Sequence, residues 1–294
     1  MLVLRTIAEA RSACARFRAA GKTIGLVPTM GALHTGHLSL VRAAQKSCDA
    51  VAVSIFVNPT QFGPKEDFAS YPRVFEQDCQ TLEAAGVDMV FAPSVEEMYP
   101  TGASTFVEVA GLSDRLDGAS RPGHFRGVAT VVTKLFHIFA PDVAFFGQKD
   151  AAQVAVLRRM VRDLRFAVEL QVCPTMRDPD GLAMSSRNRN LSEDERRQAL
   201  VLSRALRAIE SRFQAGEVDS GKLIGDAQRV LQQEPGVQVE YCRILDPESL
   251  EDVSDAGPGS LAAIAARVGA TRLIDNLLLS LPTPKAKTQR SNRS

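Results

Sequence analysis

Two histidines three residues apart follow the first buried segment of the chain. Residues 23–27 form a short apolar run that predicts a strand, and residues 28–37 (PTMGALHTGH) bring His34 and His37 to the start of a helix predicted over 36–46. A helix N-terminus carries unpaired backbone N–H groups and the positive end of the helix dipole, so it favours an anion, and imidazoles add directional donors. The segment therefore predicts a cradle for nucleotide phosphates, although neither GxxxxGK[ST] nor GxGxxG occurs in the sequence.

Uncharged amide side chains follow the second predicted strand. Residues 50–57 are apolar and rich in β-branched side chains, and Asn58 and Gln61 come directly after them. Ligands of parallel sheets bind at the carboxyl ends of the strands, so these amides are expected beside the histidine turn. They suit the hydroxyl and carboxylate groups of a small polar substrate, while an ordinary Asn-Pro turn is the alternative interpretation.

A further predicted strand, 143–146, ends in the string GQKD, which covers residues 147–150. Lys149 can neutralise phosphate charge, and Asp150 can accept a hydrogen bond from a ribose hydroxyl or an ammonium group. Gln153 lies one turn further along the following helix. A solvated Lys-Asp pair is the alternative here.

The loop over residues 176–188 (MRDPDGLAMSSRN) is poor in apolar side chains. Its two adjacent hydroxyls, Ser185 and Ser186, and the guanidinium of Arg187 can donate several hydrogen bonds to phosphate. A Ser-Ser-Arg string is common, so the loop is informative only together with the histidine pair.

The elements that must position these residues alternate along the first part of the chain. The apolar patterns predict helices over 2–20, 36–46, 73–85, 128–139 and 151–164, and strands over 23–27, 50–57, 87–91, 143–146 and 166–172. Since parallel neighbours need crossover helices, this order predicts the α/β class with a doubly wound parallel sheet.

The pattern changes after residue 188. Ser192 and Glu195 predict a capped helix with one apolar face, and a helix over 222–233 and strands over 238–245, 261–268 and 271–275 follow. We expect a domain over 1–175, a smaller C-terminal α+β lid domain over 176–282 that includes the MSSRN loop, and a disordered tail over 283–294.

Composition excludes several classes of protein. Lys and Arg number 35 against 34 Asp and Glu, a net charge of +1, which disfavours a nucleic-acid-binding surface. The five cysteines form no CxxC, so neither a zinc site nor a disulfide framework is indicated. No segment approaches the ~20 apolar residues that span a bilayer, so we expect a cytoplasmic protein without membrane or nucleic-acid partners.

The histidine turn and the MSSRN loop together resemble the HIGH and KMSKS signatures of the class I adenylate-forming nucleotidyltransferase superfamily. Within it, residues 1–280 are similar to the pantothenate synthetase (pantoate–β-alanine ligase) family, in the strings PTMGALHTGHLSLV, SIFVNPTQF, YPR, RPGHFRGV, FGQKDAAQ and GLAMSSRN. The resemblance implies a Rossmann-like fold and ATP-driven condensation of pantoate with β-alanine through a pantoyl adenylate, giving pantothenate, AMP and pyrophosphate. It also implies a homodimer and Mg²⁺ that accompanies ATP, with no metal ligand assigned to the protein.

The same resemblance implies roles for individual residues. His34, His37 and Lys149 would be catalytic, with His37 the proton donor and Lys149 on the α-phosphate, while Ser185, Ser186 and Arg187 would hold the departing phosphates. ATP binding is implied for Met30, Gly31, Ala32, Leu33, His34, Thr35, Gly36, His37, Gly147, Gln148, Lys149, Asp150, Met176, Met184, Ser185, Ser186 and Arg187.

Pantoate binding is implied for Asn58, Gln61 and Gln153, with Gln61 also near β-alanine. No role is assigned to Asp78, which would support Mg²⁺ or face solvent, or to His124 and Arg126, which would line the substrate pocket or only begin a helix.

Three alternatives are weaker. A nucleotidyltransferase that attaches AMP to a phosphorylated acceptor would need further cationic residues, and the neutral amides at 58, 61 and 153 disfavour it. A catalytically silent nucleotide-binding module would not need Lys149, both histidines and Arg187. A tRNA-charging enzyme is disfavoured by the near-neutral charge and by the absence of room for an anticodon-binding extension.

Overall fold

A parallel sheet forms the first part of the molecule. The computed structural model describes residues 1–64, 66 and 68–281, so the tail predicted over 283–294 lies outside the described residues. The six strands pair in the order β1-β4-β3-β2-β5-β6, which confirms the predicted doubly wound α/β class. Their bounds are β1 Leu2–Leu4, β2 Ile24–Thr29, β3 Ala50–Ile55, β4 Met89–Phe91, β5 Val143–Gly147 and β6 Glu169–Cys173.

Helices cover both faces of this sheet, as buried parallel strands require. One apolar core joins the sheet to α1, α6 and α7, and a second joins its other face to α2 and α3. The helices of this part are α1 Ile7–Ala19, α2 Thr35–Ser47, α3 Phe75–Ala84, α4 Val95–Met98, α5 Asp117–Ser120, α6 His124–Phe139 and α7 Ala151–Asp163.

Two helix starts differ from the predictions by four or more residues. The helix predicted over 2–20 begins at Ile7, because Thr6 and Glu9 form a capping box and residues 2–4 pair with β4 as an edge strand. The helix predicted over 128–139 begins four residues earlier, at His124. Gly127 conceals this start in the sequence, since glycine weakens a helix interior.

The strand order reverses beside β2. Pairing of β2 with β3 covers all six residues of β2, whereas pairing with β5 covers only Gly25 and Leu26. Beyond Leu26, β2 and β5 are no longer paired by backbone hydrogen bonds. Pro28 in β2 has no N–H that could donate to such a bond. A gap therefore opens at the carboxyl ends of β2 and β5, the switch point at which such sheets bind ligands.

A second sheet follows in the chain. Strands β7 Val237–Leu245, β8 Leu261–Val268 and β9 Thr271–Leu278 are antiparallel, and α8 Glu193–Gln214 and α9 Ser220–Leu231 pack on them. This confirms the smaller α+β unit and the Ser192–Glu195 capping box. The exact domain boundary at residue 175 stays a prediction. Among the described residues, the structure contains no helix that is long and apolar enough to cross a bilayer.

Helix α6 approaches the turn after β3 so closely that only glycine fits. A Cβ on Gly127 would lie 2.3 Å from the Thr60 carbonyl oxygen and 2.6 Å from the Gln61 nitrogen. We expect Gly127→Ala to lower the free energy of unfolding by about 1 to 3 kcal/mol, the usual range for overpacking. Urea denaturation measures this change.

Gly225→Ala is the matched control, because Gly225 lies in α9 with no neighbour within 4 Å of its Cβ position. This substitution should raise stability by up to about 1 kcal/mol, since alanine is the better helix former. Equal effects of the two substitutions would contradict the close packing at Gly127.

Candidate active site

A cavity of about 1270 Å³, open to solvent, occupies the gap between the ends of β2 and β5. Four segments that the sequence analysis singled out come together around it. The predicted residues that line the cavity are Met30, His34, Gly36, His37, Asn58, Gln61, Gly147, Lys149, Asp150, Gln153, Met176, Met184, Ser185, Ser186 and Arg187. Their roles stay predictions, but their common location is observed.

Five predicted ATP-binding residues lie outside the lining of this cavity: Gly31, Ala32, Leu33, Thr35 and Gln148. Gly31 and Ala32 form a tight turn with φ of +79° and +51°. The Asp78 carboxylate, 2% exposed, accepts the Ala32 and Leu33 N–H groups at 2.8 Å each. Asp78 therefore neither faces solvent nor lines the cavity; it holds the turn that precedes α2.

Several backbone N–H groups of the predicted phosphate cradle are hydrogen-bonded within the protein. Besides the two groups bonded to Asp78, the Gly36 N–H donates to His34 Nδ1 at 3.1 Å, and the His34 N–H donates to His37 Nδ1 at 3.3 Å. The two imidazoles thus cap α2 reciprocally, in place of the usual Ser and Glu.

This capping fixes the tautomers of the histidines. Each Nδ1 accepts a hydrogen bond, so in the neutral rings the proton lies on Nε2. Burial, and after it the neighbouring His34, lowers the pKa of His37 to about 3. Burial and then the charge of Lys149 lower the pKa of His34 as well. At neutral pH both rings are uncharged Nε2–H donors, with centroids 4.1 Å apart.

Lys149 supplies positive charge to the same space. Its Nζ lies 3.7 Å from the Asp150 carboxylate, and its side chain is 20% exposed. Asp150 is the only carboxylate among the described residues that line the cavity. The described residues also contain no group of three or more His, Cys, Asp or Glu that could hold a metal ion.

Asn58 is buried behind Gln61, and its hydrogen bonds lie within the protein. Its Nδ2 donates to Gln61 Oε1 at 3.0 Å and to the Gly127 carbonyl at 3.1 Å. Its Oδ1 accepts from Tyr99 Oη at 2.9 Å and from the Thr60 hydroxyl at 2.9 Å. These bonds favour a role in orienting the Gln61 amide over the predicted direct contact with pantoate.

His124 holds the backbone of the same turn. Its Nδ1 donates to the Gln61 carbonyl at 2.8 Å, and its Nε2 accepts from Arg121 at 3.0 Å. Burial and the Arg121 charge lower the pKa of His124 to about 4, so the ring is neutral at pH 7. Arg126, by contrast, lies over the Phe106 ring, at 4.0 Å from its centroid, and does not line the cavity.

The MSSRN loop is anchored to the second sheet. Arg177 makes a bidentate ion pair with Asp275 on β9, at 2.7 and 2.9 Å, and Asp275 is 3% exposed. The Met184 N–H donates to the Met176 carbonyl at 2.9 Å and closes the loop. The loop thereby places residues 184–187 against the cavity.

The buried neutral histidines predict a loss of stability in acid. The folded pKa of His37 lies below its ordinary value of 6.5, so the unfolded chain binds more protons and stability falls as the pH drops below about 6.5. Each such histidine contributes up to about 1.4 kcal/mol per pH unit. His37→Asn keeps an acceptor for the His34 N–H but does not titrate, so it should flatten the fall between pH 6.5 and 4.5.

Urea denaturation across this pH range measures the slope. His137→Asn, on the exposed side of α6, is the control for removing a histidine outside the site. An unchanged slope in His37→Asn would show that His37 is not neutral in the folded protein.

Known proteins resemble this chain over nearly its whole length. The family model described as pantoate-beta-alanine ligase matches residues 2–278. The pantothenate synthetase of Acidobacterium capsulatum is 67% identical over 265 residues, covering 90% of this chain and 88% of that protein. The pantothenate synthetase of Koribacter versatilis is 58% identical, covering 95% of this chain and 96% of that protein.

Solved structures agree with the sequence relatives. Pantothenate synthetase from Thermus thermophilus superposes with a TM-score of 0.91 at 47% identity, over 95% of this chain and all of that one. Pantoate-beta-alanine ligase from Francisella tularensis, complexed with beta-gamma ATP and beta-alanine, gives a TM-score of 0.78 at 35% identity, over 95% of this chain and 97% of that one. The chain therefore belongs to the pantoate–β-alanine ligase family.

Proposed function

We propose that this protein condenses pantoate with β-alanine at the expense of ATP, through a pantoyl adenylate, and releases pantothenate, AMP and pyrophosphate. One observation carries the proposal: a single cavity joins two neutral histidine donors and Lys149 to the uncharged amides of Gln61 and Gln153. The first set suits a triphosphate, and the second suits a small polar acid. The Francisella tularensis relative binds an ATP species and β-alanine, which supports the same pair of substrates here.

The chemistry needs an activated carboxylate, because a free carboxylate resists attack by an amine. A pantoate carboxylate oxygen attacks the α-phosphorus, the bond from that phosphorus to the bridging oxygen breaks, and pyrophosphate leaves. The amine of β-alanine then attacks the acyl carbon, AMP leaves and the amine loses its proton. No covalent bond to the protein is required.

The protein's part is electrostatic and positional. Lys149 steadies the negative charge at the α-phosphate. The Nε2–H groups of His34 and His37 donate to phosphate oxygens as neutral groups, so His37 acts in the proposal as a hydrogen-bond donor. Ser185, Ser186 and Arg187, on the MSSRN loop, hold the departing β- and γ-phosphates.

Pantoate fits the other half of the cavity. Gln61 and Gln153 offer amides to its hydroxyl and carboxylate groups, and the apolar side chains of α6 suit its two methyl groups. That wall consists of Val128, Val131, Val132 and Leu135. The absence of a cation among these residues favours this acid over a phosphorylated acceptor.

The residues present fit a Mg²⁺ ion that arrives with ATP. Mg²⁺ keeps several water ligands and binds through one or two carboxylates plus substrate phosphates. Asp150, the one carboxylate among the described cavity-lining residues, is the available protein ligand. When bound, the ion would supply positive charge to the leaving pyrophosphate. The homodimer that the resemblance implies and the cytoplasmic location expected from the composition stay predictions.

The direct test incubates the pure protein with ATP, Mg²⁺ and pantoate, with and without β-alanine. We expect pyrophosphate and positional isotope exchange in labelled ATP with pantoate alone, and AMP and pantothenate once β-alanine is added. Pyrophosphate that appears only with β-alanine, without prior exchange, would replace the stepwise scheme with a concerted one. No product under either condition would refute the proposed function.

Lys149→Ala should slow adenylation by roughly 10²- to 10³-fold, the loss typical of one preorganised transition-state donor. Single-turnover formation of the adenylate measures this rate. Lys46→Ala, at the exposed end of α2, is the control for removing a lysine away from the cavity. Near-normal adenylation in Lys149→Ala would remove this lysine from the mechanism.

Gln61→Ala and Gln153→Ala should each weaken pantoate binding about 10-fold and ATP binding far less, because each removes a hydrogen-bonding amide from the acid's half of the cavity. Isothermal titration with each substrate separates the two affinities. Gln232→Ala, at the exposed end of α9, is the control. Unchanged pantoate affinity in both site variants would overturn the assignment.

A further inference from the structure

Strand β9 contacts two of the segments that line the cavity, although β9 belongs to the second sheet. Asp275 and Asn276 are adjacent on this strand, and they are 3% and 4% exposed. Side chains of neighbouring strand residues point to opposite faces of a sheet. The two residues therefore reach in opposite directions, and each ends on a segment that lines the cavity.

Asn276 holds the turn that contains Lys149. Its Nδ2 donates to the Lys149 carbonyl at 2.8 Å and to the Gln148 carbonyl at 3.1 Å. Its Oδ1 accepts from the Gln148 side chain at 3.1 Å. Both amide protons and the amide oxygen are thus satisfied by two consecutive residues of the first domain. Gln148, predicted to bind ATP, uses its side chain for this contact.

Asp275 holds the MSSRN loop. Its carboxylate pairs with both Nη atoms of Arg177 and also accepts the Asn276 backbone N–H at 2.8 Å. Arg177 donates in addition to the Gly181 carbonyl at 3.2 Å, so it braces the loop that ends in residues 184–187. Two successive residues of one strand thereby fix the separation between the Lys149 turn and the MSSRN loop.

We infer that Asp275 and Asn276 form a positioning pair that sets the Lys149 turn and the MSSRN loop in register across the triphosphate. This inference rests on the proposed function and extends it to two residues outside the lining of this cavity. Asn276 acts through Lys149, and Asp275 acts through the loop that carries Arg187. Misplacing a group by 1 Å can cost about 100-fold in rate, so such bracing is kinetically important.

A double-mutant cycle distinguishes this role from general support of the fold. The rate measured is pantoate-dependent exchange of labelled pyrophosphate into ATP, in wild type, Asn276→Ala, Lys149→Ala and the double variant. Asn276→Ala alone should lower the maximal exchange rate by roughly 10- to 100-fold, with the KM for pantoate nearly unchanged. In the Lys149→Ala background the same substitution should cause little further loss, because Lys149 is the group it positions.

A parallel cycle pairs Asp275→Asn with Arg187→Ala and should show the same non-additivity. Glu251→Ala is the matched control, because it removes a contact between the two parts of the molecule, the ion pair with Arg115 at 2.8 Å, away from the cavity. It should leave the exchange rate unchanged. Urea midpoints identify any variant that has lost its fold, and Asn276→Asp, of the same shape but without the two donors, replaces Asn276→Ala in that event.

The results that would refute the proposed function differ from those that would refute only the positioning role. Absence of exchange in the wild-type protein refutes the proposed function. Exchange in the wild type with no effect of Asn276→Ala or Asn276→Asp refutes only the positioning role. An equal loss in the wild-type and Lys149→Ala backgrounds also refutes it, because that result describes a residue that supports the fold independently of Lys149.

Discussion

The reciprocal capping of α2 by His34 and His37 is the interaction on which the rest of the site depends. This capping gives hydrogen-bond acceptors to backbone N–H groups that a helix start leaves unpaired. Each imidazole uses only Nδ1 for it and keeps a second polar atom, Nε2. Each imidazole accepts through Nδ1, so each must present its proton on Nε2. The hydrogen bonds that cap the helix thus also hold two neutral Nε2–H donors in fixed positions. These donors need no reorientation during the reaction.

The surrounding buried groups keep this arrangement rigid. Asp78 binds two N–H groups of the turn before α2, and Asn58 and His124 fix the side chain and backbone of Gln61. Burying a polar group without a hydrogen-bond partner costs free energy. Each of these side chains is therefore stable only in the geometry that provides its hydrogen-bond partners. The cavity is consequently shaped by the hydrogen bonds of buried polar side chains in and around its lining, while α6 supplies its apolar wall.

The sequence was most informative where local pattern and topology agree. Buried apolar runs predict β2, β3 and β5, and the rule that carboxyl ends share one edge predicts that His37, Gln61 and Lys149 lie close together. Prediction from the sequence failed where the structure depends on a contact between residues that are far apart in the chain. The Asp78 carboxylate accepts hydrogen bonds from N–H groups that lie 45 and 46 residues away in the chain. The sequence therefore does not show that the backbone of residues 31–33 is hydrogen-bonded. Strand β1 is a three-residue edge strand whose partner is β4. The strand predicted over 271–275 ends before Asn276, and the sequence assigns no role to Asp275.

The state of the two histidines tests this account most directly. With only four histidines in the chain, long-range ¹H–¹⁵N spectra of the protein labelled with ¹⁵N-histidine can be assigned by comparison with the His34→Asn and His37→Asn variants. At pH 7 we expect His34 and His37 to show the neutral tautomer with the proton on Nε2 and an unprotonated Nδ1. An imidazolium, or a proton on Nδ1 of either ring, would contradict the capping arrangement and the neutral donors derived from it.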